Sequence, residues 1–137
     1  MRKNLLIIFL LLAFSLAFSQ EVKHKIVFQV VSGDSLVHKM LIHNLQNITQ
    51  EWKDDVKIEV VLHGPGVSMA FKEKQSYESK IKELLKLNVN FLVCENTLKQ
   101  KKIEKSLIFE SVSFVKLGIG HIVERQESGW SYIKSGY

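Results

Sequence analysis

Three nearly continuous apolar runs, each closed by turn or capping residues, most constrain what this chain can fold into. Lys25 to Val31 carries Ile26-Val27-Phe28 and Val30-Val31, Val56 to Leu62 carries Ile58 and Val60-Val61-Leu62, and Phe91-Leu92-Val93 leads into Cys94. Short runs rich in β-branched residues read as strands buried on both faces, the habit of parallel sheets. Segments of helical period lie between them. From Leu36 to about Thr49, Leu36, Val37, Met40, Leu41, Leu45 and Ile48 make one stripe. His38, His43 and Asn44 fall off it, and His43 reads as a surface residue. A second stripe, capped by Ser76, uses Tyr77, Ile81, Leu84, Leu85 and Leu87 and stops at Asn88, which tolerates the left-handed C-cap conformation.

The later chain continues the alternation. A short helix from about Asn96 to Lys102 follows Cys94, and Ser113-Phe114-Val115 reads as a fourth strand. Gly118-Ile119-Gly120 reads as a turn into a helix from about His121 to Gln126. Trp130 to Ile133, after Gly129, reads as a last, edge strand whose aromatics serve the core or an interface. Val67 to Phe71 is small and apolar, one helical turn that either covers a site or meets another subunit. Strands alternating with helices imply an α/β three-layer sandwich around a mainly parallel five-stranded sheet of flavodoxin-like topology. Right-handed crossovers then bring Ser32 to Ser35, His63 to Gly66 and Cys94 to Thr97 to the C-terminal edge, where open α/β sheets bind their ligands.

The first nineteen residues stand apart from this pattern. Arg2 and Lys3 precede an apolar or small-residue run from Leu5 to Phe18, and Ala17-Phe18-Ser19 supplies small residues before Gln20. This is the layout of a secretory signal peptide at residues 1–19, with an uncleaved N-terminal anchor as the alternative. Cleavage would leave residues 20–137 as one domain, exported or periplasmic and without a membrane span. Losing Arg2 and Lys3 lowers the net charge from +5 to +3. So small and evenly spread an excess argues against nucleic acid.

One cysteine in an exported domain cannot form an internal disulfide. Two readings of Cys94 follow: a reactive or intermolecularly pairing thiol, or a small buried hydrophobe. At the end of a strand and beneath a helix N-terminus, a thiolate gains from the helix dipole and its unpaired N–H groups. His63, one loop away, is a candidate proton partner, whereas Glu95 adds an unfavourable charge. Ser32-Gly33-Asp34-Ser35 matches neither the dinucleotide fingerprint nor a P-loop, so no flavin or nucleotide cofactor is expected. His63, His121 and Cys94 are ligand types without a recognised spacing, and no metal is assigned, although a three-loop site stays open.

Phe28-Gln29-Val30 with Gly33-Asp34, His63-Gly64-Pro65-Gly66 and Cys94-Glu95-Asn96-Thr97-Leu98, taken in that order, resemble the DsrE/DsrF-like family. The closing Gly129-Trp130-Ser131-Tyr132-Ile133 resembles its exported branch. The resemblance spans Lys25 to Ile133. It implies a homo-oligomer, trimeric or hexameric, and a sulfane-sulfur carrier with a persulfide on Cys94, at most sulfurtransferase-like in activity. Its partners would be a sulfur donor or acceptor protein. His63 would manage protons, the amides at Asn96 and Thr97 would stabilise the sulfur anion, and Asp34, Gly64 and Gly66 would line the pocket. Two features depart from the family pattern: Glu95 stands where glycine commonly follows the cysteine in exported relatives, and the best-understood carriers are cytoplasmic. The competing reading is a non-catalytic module that binds a small ligand or partner and keeps Cys94 as a buried structural residue.

Overall fold

A computed structural model describes residues 22–136; the expected signal peptide lies outside the described residues. The strands are β1 (His24–Val30), β2 (Val56–Leu62), β3 (Val89–Cys94), β4 (Ser113–Val115) and β5 (Ser131–Ser135). The α-helices are α1 (Ser35–Trp52), α2 (Gln75–Leu85), α3 (Glu95–Lys101) and α4 (Gly118–Glu127), and a 3-10 segment occupies Gly64–Ala70. Every strand pair is parallel and the order is β4-β3-β2-β1-β5. The sheet shares parallel strands and two covered faces with flavodoxin-like folds, but their order of 2-1-3-4-5 reverses elsewhere.

The order and the handedness of crossovers together decide which helix lies where. From β1 to β4 the chain steps in one direction, so right-handed connections put α1, α2 and α3 on one face. The connection from β4 to β5 runs back across the sheet, so α4 lies on the other. Alternating side chains agree with this. Ile26, Phe28, Val30, Ile58, Val60, Leu62, Phe91 and Val93 share a large core with Leu41, Leu45, Ile81, Leu84 and Leu98 of the first three helices. On the opposite face, among the described residues, Val27, Val61, Leu92 and Ile122 form a small buried apolar cluster, flanked by Val115 and Trp130.

Polar residues complete that second face. Glu59, in the middle of β2, is 5% exposed. Arg125 of α4 donates to it through Nε (2.7 Å, Oε2) and a terminal nitrogen (3.0 Å, Oε1), and His121 Nε2 lies 2.5 Å from Oε2. Burial opposes the charge, yet the bonds from Arg125 and His121 hold the Glu59 carboxyl below its ordinary value. The Arg125 guanidinium also lies over the Trp130 ring, 5.1 Å from its centroid.

Several local expectations change: Leu87, read as inward, is exposed beyond the end of α2, and Ser76, read as its cap, lies inside the helix, which begins at Gln75. Leu36 and Met40, assigned to the α1 stripe, are exposed, and His38 and Ile42 are buried in their place. His38 tolerates burial because its Nε2 lies 2.7 Å from the Ser32 carbonyl oxygen. Burial holds its pKa below the usual imidazole value. Val67, Met69 and Ala70 of the 3-10 segment belong to the main core, a role the sequence reading does not give this stretch. Helix α4 starts at Gly118 rather than near His121.

Gly66 has no room for a side chain, because a β-carbon there would stand 2.1 Å from the Val30 carbonyl oxygen. Gly66→Ala is expected to cost about 3 kcal/mol by forcing apart β1 and the loop after β2, read as a lower urea midpoint. Glu59→Gln is expected to cost a similar amount, about 3 kcal/mol, by leaving Arg125 without its buried counter-charge. Because folding lowers the Glu59 pKa, its contribution is present above the ordinary value of 4.5 and disappears as pH falls through the folded value. Denaturation from neutral to acid pH should therefore show the wild-type advantage over the variant shrinking below 4.5.

Candidate functional site

Adjacent strands whose connections leave toward opposite faces open a crevice at their C-terminal ends. Here those strands are β3, which feeds α3, and β4, which feeds α4. Cys94 is the last residue of β3 and pairs with Val115 in β4. The Leu62–Val93 register, carried one residue further, sets His63 beside Cys94. Gly118, the first residue of α4, closes the group. A β-carbon on Gly118 would lie 3.2 Å from that of Cys94, 3.2 Å from Val61 Cγ1 and 3.3 Å from the β-carbon of His63. Glycine at 118 therefore lets a helix start directly against the thiol.

The thiol is 3% exposed and surrounded by donors. Gly118 N–H donates to Cys94 Sγ at 3.2 Å. Burial disfavours the thiolate, but hydrogen bonds from the Thr97 hydroxyl and from the amides of Gly118, Thr97 and Asn96 outweigh it, and the Cys94 pKa is lowered. Thr97 Oγ1 in turn accepts from Gly64 N–H at 3.1 Å. The chain Gly64 N–H to Thr97 O–H to Cys94 Sγ polarises along its length, which strengthens the last bond. Gly64 has φ +54°, the left-handed region that favours glycine, and this backbone state presents its amide to Thr97.

His63 is half-buried, and burial lowers its pKa, which favours the neutral ring. Its Nε2 lies 2.8 Å from Gln29 Nε2, and the Tyr132 hydroxyl donates to Gln29 Oε1. Glu95, expected to repel a thiolate, is paired with Lys105, which offsets its charge.

The structure brings Cys94, His63, Gly64 and Thr97 together. Gly66 acts by packing beneath β1, and Gly33 approaches the Pro65 carbonyl, so all three expected loops meet. Asn96 contributes its amide, which also donates to the Lys116 carbonyl at 3.2 Å, while the residue itself is exposed. Asp34 caps α1, its Oδ1 accepting from Leu36 N–H at 2.8 Å. His121, a ligand-type residue in the sequence, is turned to Glu59. Sequence reasoning missed Gly118, Gln29 and Tyr132. Gln29 carried a signal, a polar residue inside an otherwise apolar strand; Gly118 carried none beyond its place in a Gly-x-Gly turn.

The family model described as DsrE/DsrF-like matches residues 17–135. A solved structure of a protein of unknown function from Methanobacterium thermoautotrophicum is 33% identical, with 81% of this chain and 98% of that one covered at a TM-score of 0.75. Another, a conserved protein of unknown function from Bacteroides thetaiotaomicron, is 18% identical and shares the fold, with 85% and 98% covered and a TM-score of 0.63. No curated protein matches the chain.

Titration of the ultraviolet thiolate absorbance, with Cys94→Ser as blank, should place the native midpoint below that of the unfolded chain. Thr97→Val removes the leading donor and is expected to move the midpoint to higher pH. Gly118→Ala should do the same and cost about 1–2 kcal/mol of stability, because its methyl group pushes against Cys94, Val61 and His63.

Proposed function

Because the chain belongs to the DsrE/DsrF-like family, whose members share a sulfur-relay type of role, we propose that Cys94 accepts and passes on sulfane sulfur as a persulfide. The observation that carries this reading is the donor set around Sγ, which lowers the pKa of a buried thiol against the effect of burial. A thiolate is the sulfur nucleophile, and it forms most readily where N–H and O–H groups already point at it.

The step balances without an external oxidant. The Cys94 thiolate attacks the outer sulfur of a hydropersulfide donor, R–S–SH, and a new S–S bond forms on Cys94. The donor's S–S bond breaks, and RS⁻ leaves with its electron pair. The proton on Cys94–S–SH then passes to RS⁻, giving RSH and an anionic persulfide. That anion would rest on the amides of Gly118 and Thr97 and on the Thr97 hydroxyl, with His63 beside it. Relay to an acceptor thiolate is the same displacement in reverse.

Residues 1–19 have the layout of an export signal, so the reading includes action outside the cytoplasm after cleavage, in the periplasm or beyond. No helix among the described residues is long and apolar enough to cross a membrane. Leu117, Ile119 and Val123 expose apolar surface beside the site and along α4, which suits assembly into a trimer or hexamer or contact with a sulfur donor or acceptor protein.

The near-complete burial of Cys94 favours one competing reading, a binding module in which the cysteine is structural. Intact mass spectrometry after incubation with polysulfide separates the two. The carrier reading expects a mass increase of one sulfur atom on the native protein and none on Cys94→Ser. A native protein that stays unmodified, with a thiol that alkylates only after denaturation, would support the module instead.

A further inference from the structure

The orientation of the Gln29 amide assigns a tautomer to His63. Tyr132, on the edge strand β5, and Gln29, on β1, point to the same face of the sheet as His63, since Tyr132 pairs with Val27 and Gln29 lies two residues further along β1. Gln29 Oε1 carries no hydrogen, so in its contact with Tyr132 the phenol must donate. This turns the Gln29 NH₂ toward His63, 2.8 Å from Nε2. An amide nitrogen only donates, so Nε2 must be the accepting, unprotonated nitrogen, and the proton of the neutral ring lies on Nδ1. Nδ1 has no hydrogen-bond partner among the described residues.

We propose that Gln29, anchored by Tyr132, is a positioning residue that fixes His63 as its Nδ1–H tautomer, making the imidazole a hydrogen-bond donor to an anionic sulfur ligand. This rests on the sulfur-carrier reading for the ligand, while the tautomer stands on geometry alone. It narrows the role of His63. With the Nε2 lone pair occupied by Gln29, the ring is not the base that deprotonates Cys94. The thiolate owes its stability to Gly118 and Thr97, and His63 contributes a donor once a second sulfur, with its negative charge, extends beyond Sγ. It also gives the last strand a task at the site, because the Tyr132 hydroxyl donates to Gln29 Oε1 in the amide orientation that has His63 accept at Nε2.

The test is long-range ¹H–¹⁵N NMR of the histidine rings in the whole protein at mildly alkaline pH, with His63→Gln to assign the signal. Wild type should show the Nδ1–H pattern. Gln29→Glu replaces the donor with an acceptor-only carboxylate and should move the proton to Nε2. Tyr132→Phe should release the amide and give a mixture of tautomers. An Nε2–H ring in wild type, or a ring unchanged in Gln29→Glu, would overturn the proposal. Persulfide retention, followed by mass spectrometry, adds the functional arm: Gln29→Glu should shorten the lifetime of the Cys94 adduct about tenfold, the loss of roughly one charge-assisted hydrogen bond, while the Cys94 titration midpoint in Gln29→Leu stays near wild type. An unchanged adduct lifetime in Gln29→Glu would remove the donor role. If wild type shows the Nδ1–H ring but Cys94 takes up no sulfur, the tautomer assignment stands and the carrier reading falls.

Discussion

The handedness of strand–helix–strand connections is the constraint on which the rest of this structure depends. Three right-handed steps from β1 to β4 commit α1, α2 and α3 to one face of the sheet, and the single return step to β5 commits α4 to the other. The place where the winding turns back is the β3–β4 boundary. Cys94 ends one of those strands, and Gly118 opens the helix that leaves the other. A thiol and a helix amide that has no partner within its own helix thus meet at the crevice that the topology itself opens.

The two faces are built differently, and the difference bears on the site. The first has a broad apolar core of aliphatic and aromatic side chains, which holds its helices by burial. The second has four buried apolar side chains and a carboxylate, Glu59, gripped by two side chains of α4. An ion cluster of this kind adds little net stability against an apolar replacement, but it is directional. It fixes the rotation and the height of α4 on the sheet. The same helix begins at Gly118, whose amide donates to Cys94 Sγ.

Much of the fold was legible in the chain. The runs at Lys25–Val31, Val56–Leu62 and Phe91–Cys94 became β1, β2 and β3, because β-branched runs of that length have few other ways to satisfy their backbone. The convergence of three loops followed from the crossover rule, and Cys94, His63 and Thr97 were found as a group. The clearest misreading concerns the faces of α1. Leu36 and Met40 were assigned inward on periodicity, but the start of α1 exposes that side, and His38 goes in because a backbone carbonyl at Ser32 meets its ring. Helical period gives spacing along a face; only the packed neighbour decides which face is covered.

By itself, the sequence determined the element types, the parallel sheet, the edge at which the candidate site lies and the cysteine placed there. Each of these follows from local pattern and from the chirality of the chain. Tertiary structure alone decided the strand order, the lone placement of α4 and the partners that set proton positions. Gln29, His63 and Tyr132 are far apart in sequence, as are Glu59, His121 and Arg125, yet each trio is joined by hydrogen bonds. A hydrogen bond needs its donor and acceptor within about 3 Å of one another, and no pattern along the chain encodes that distance.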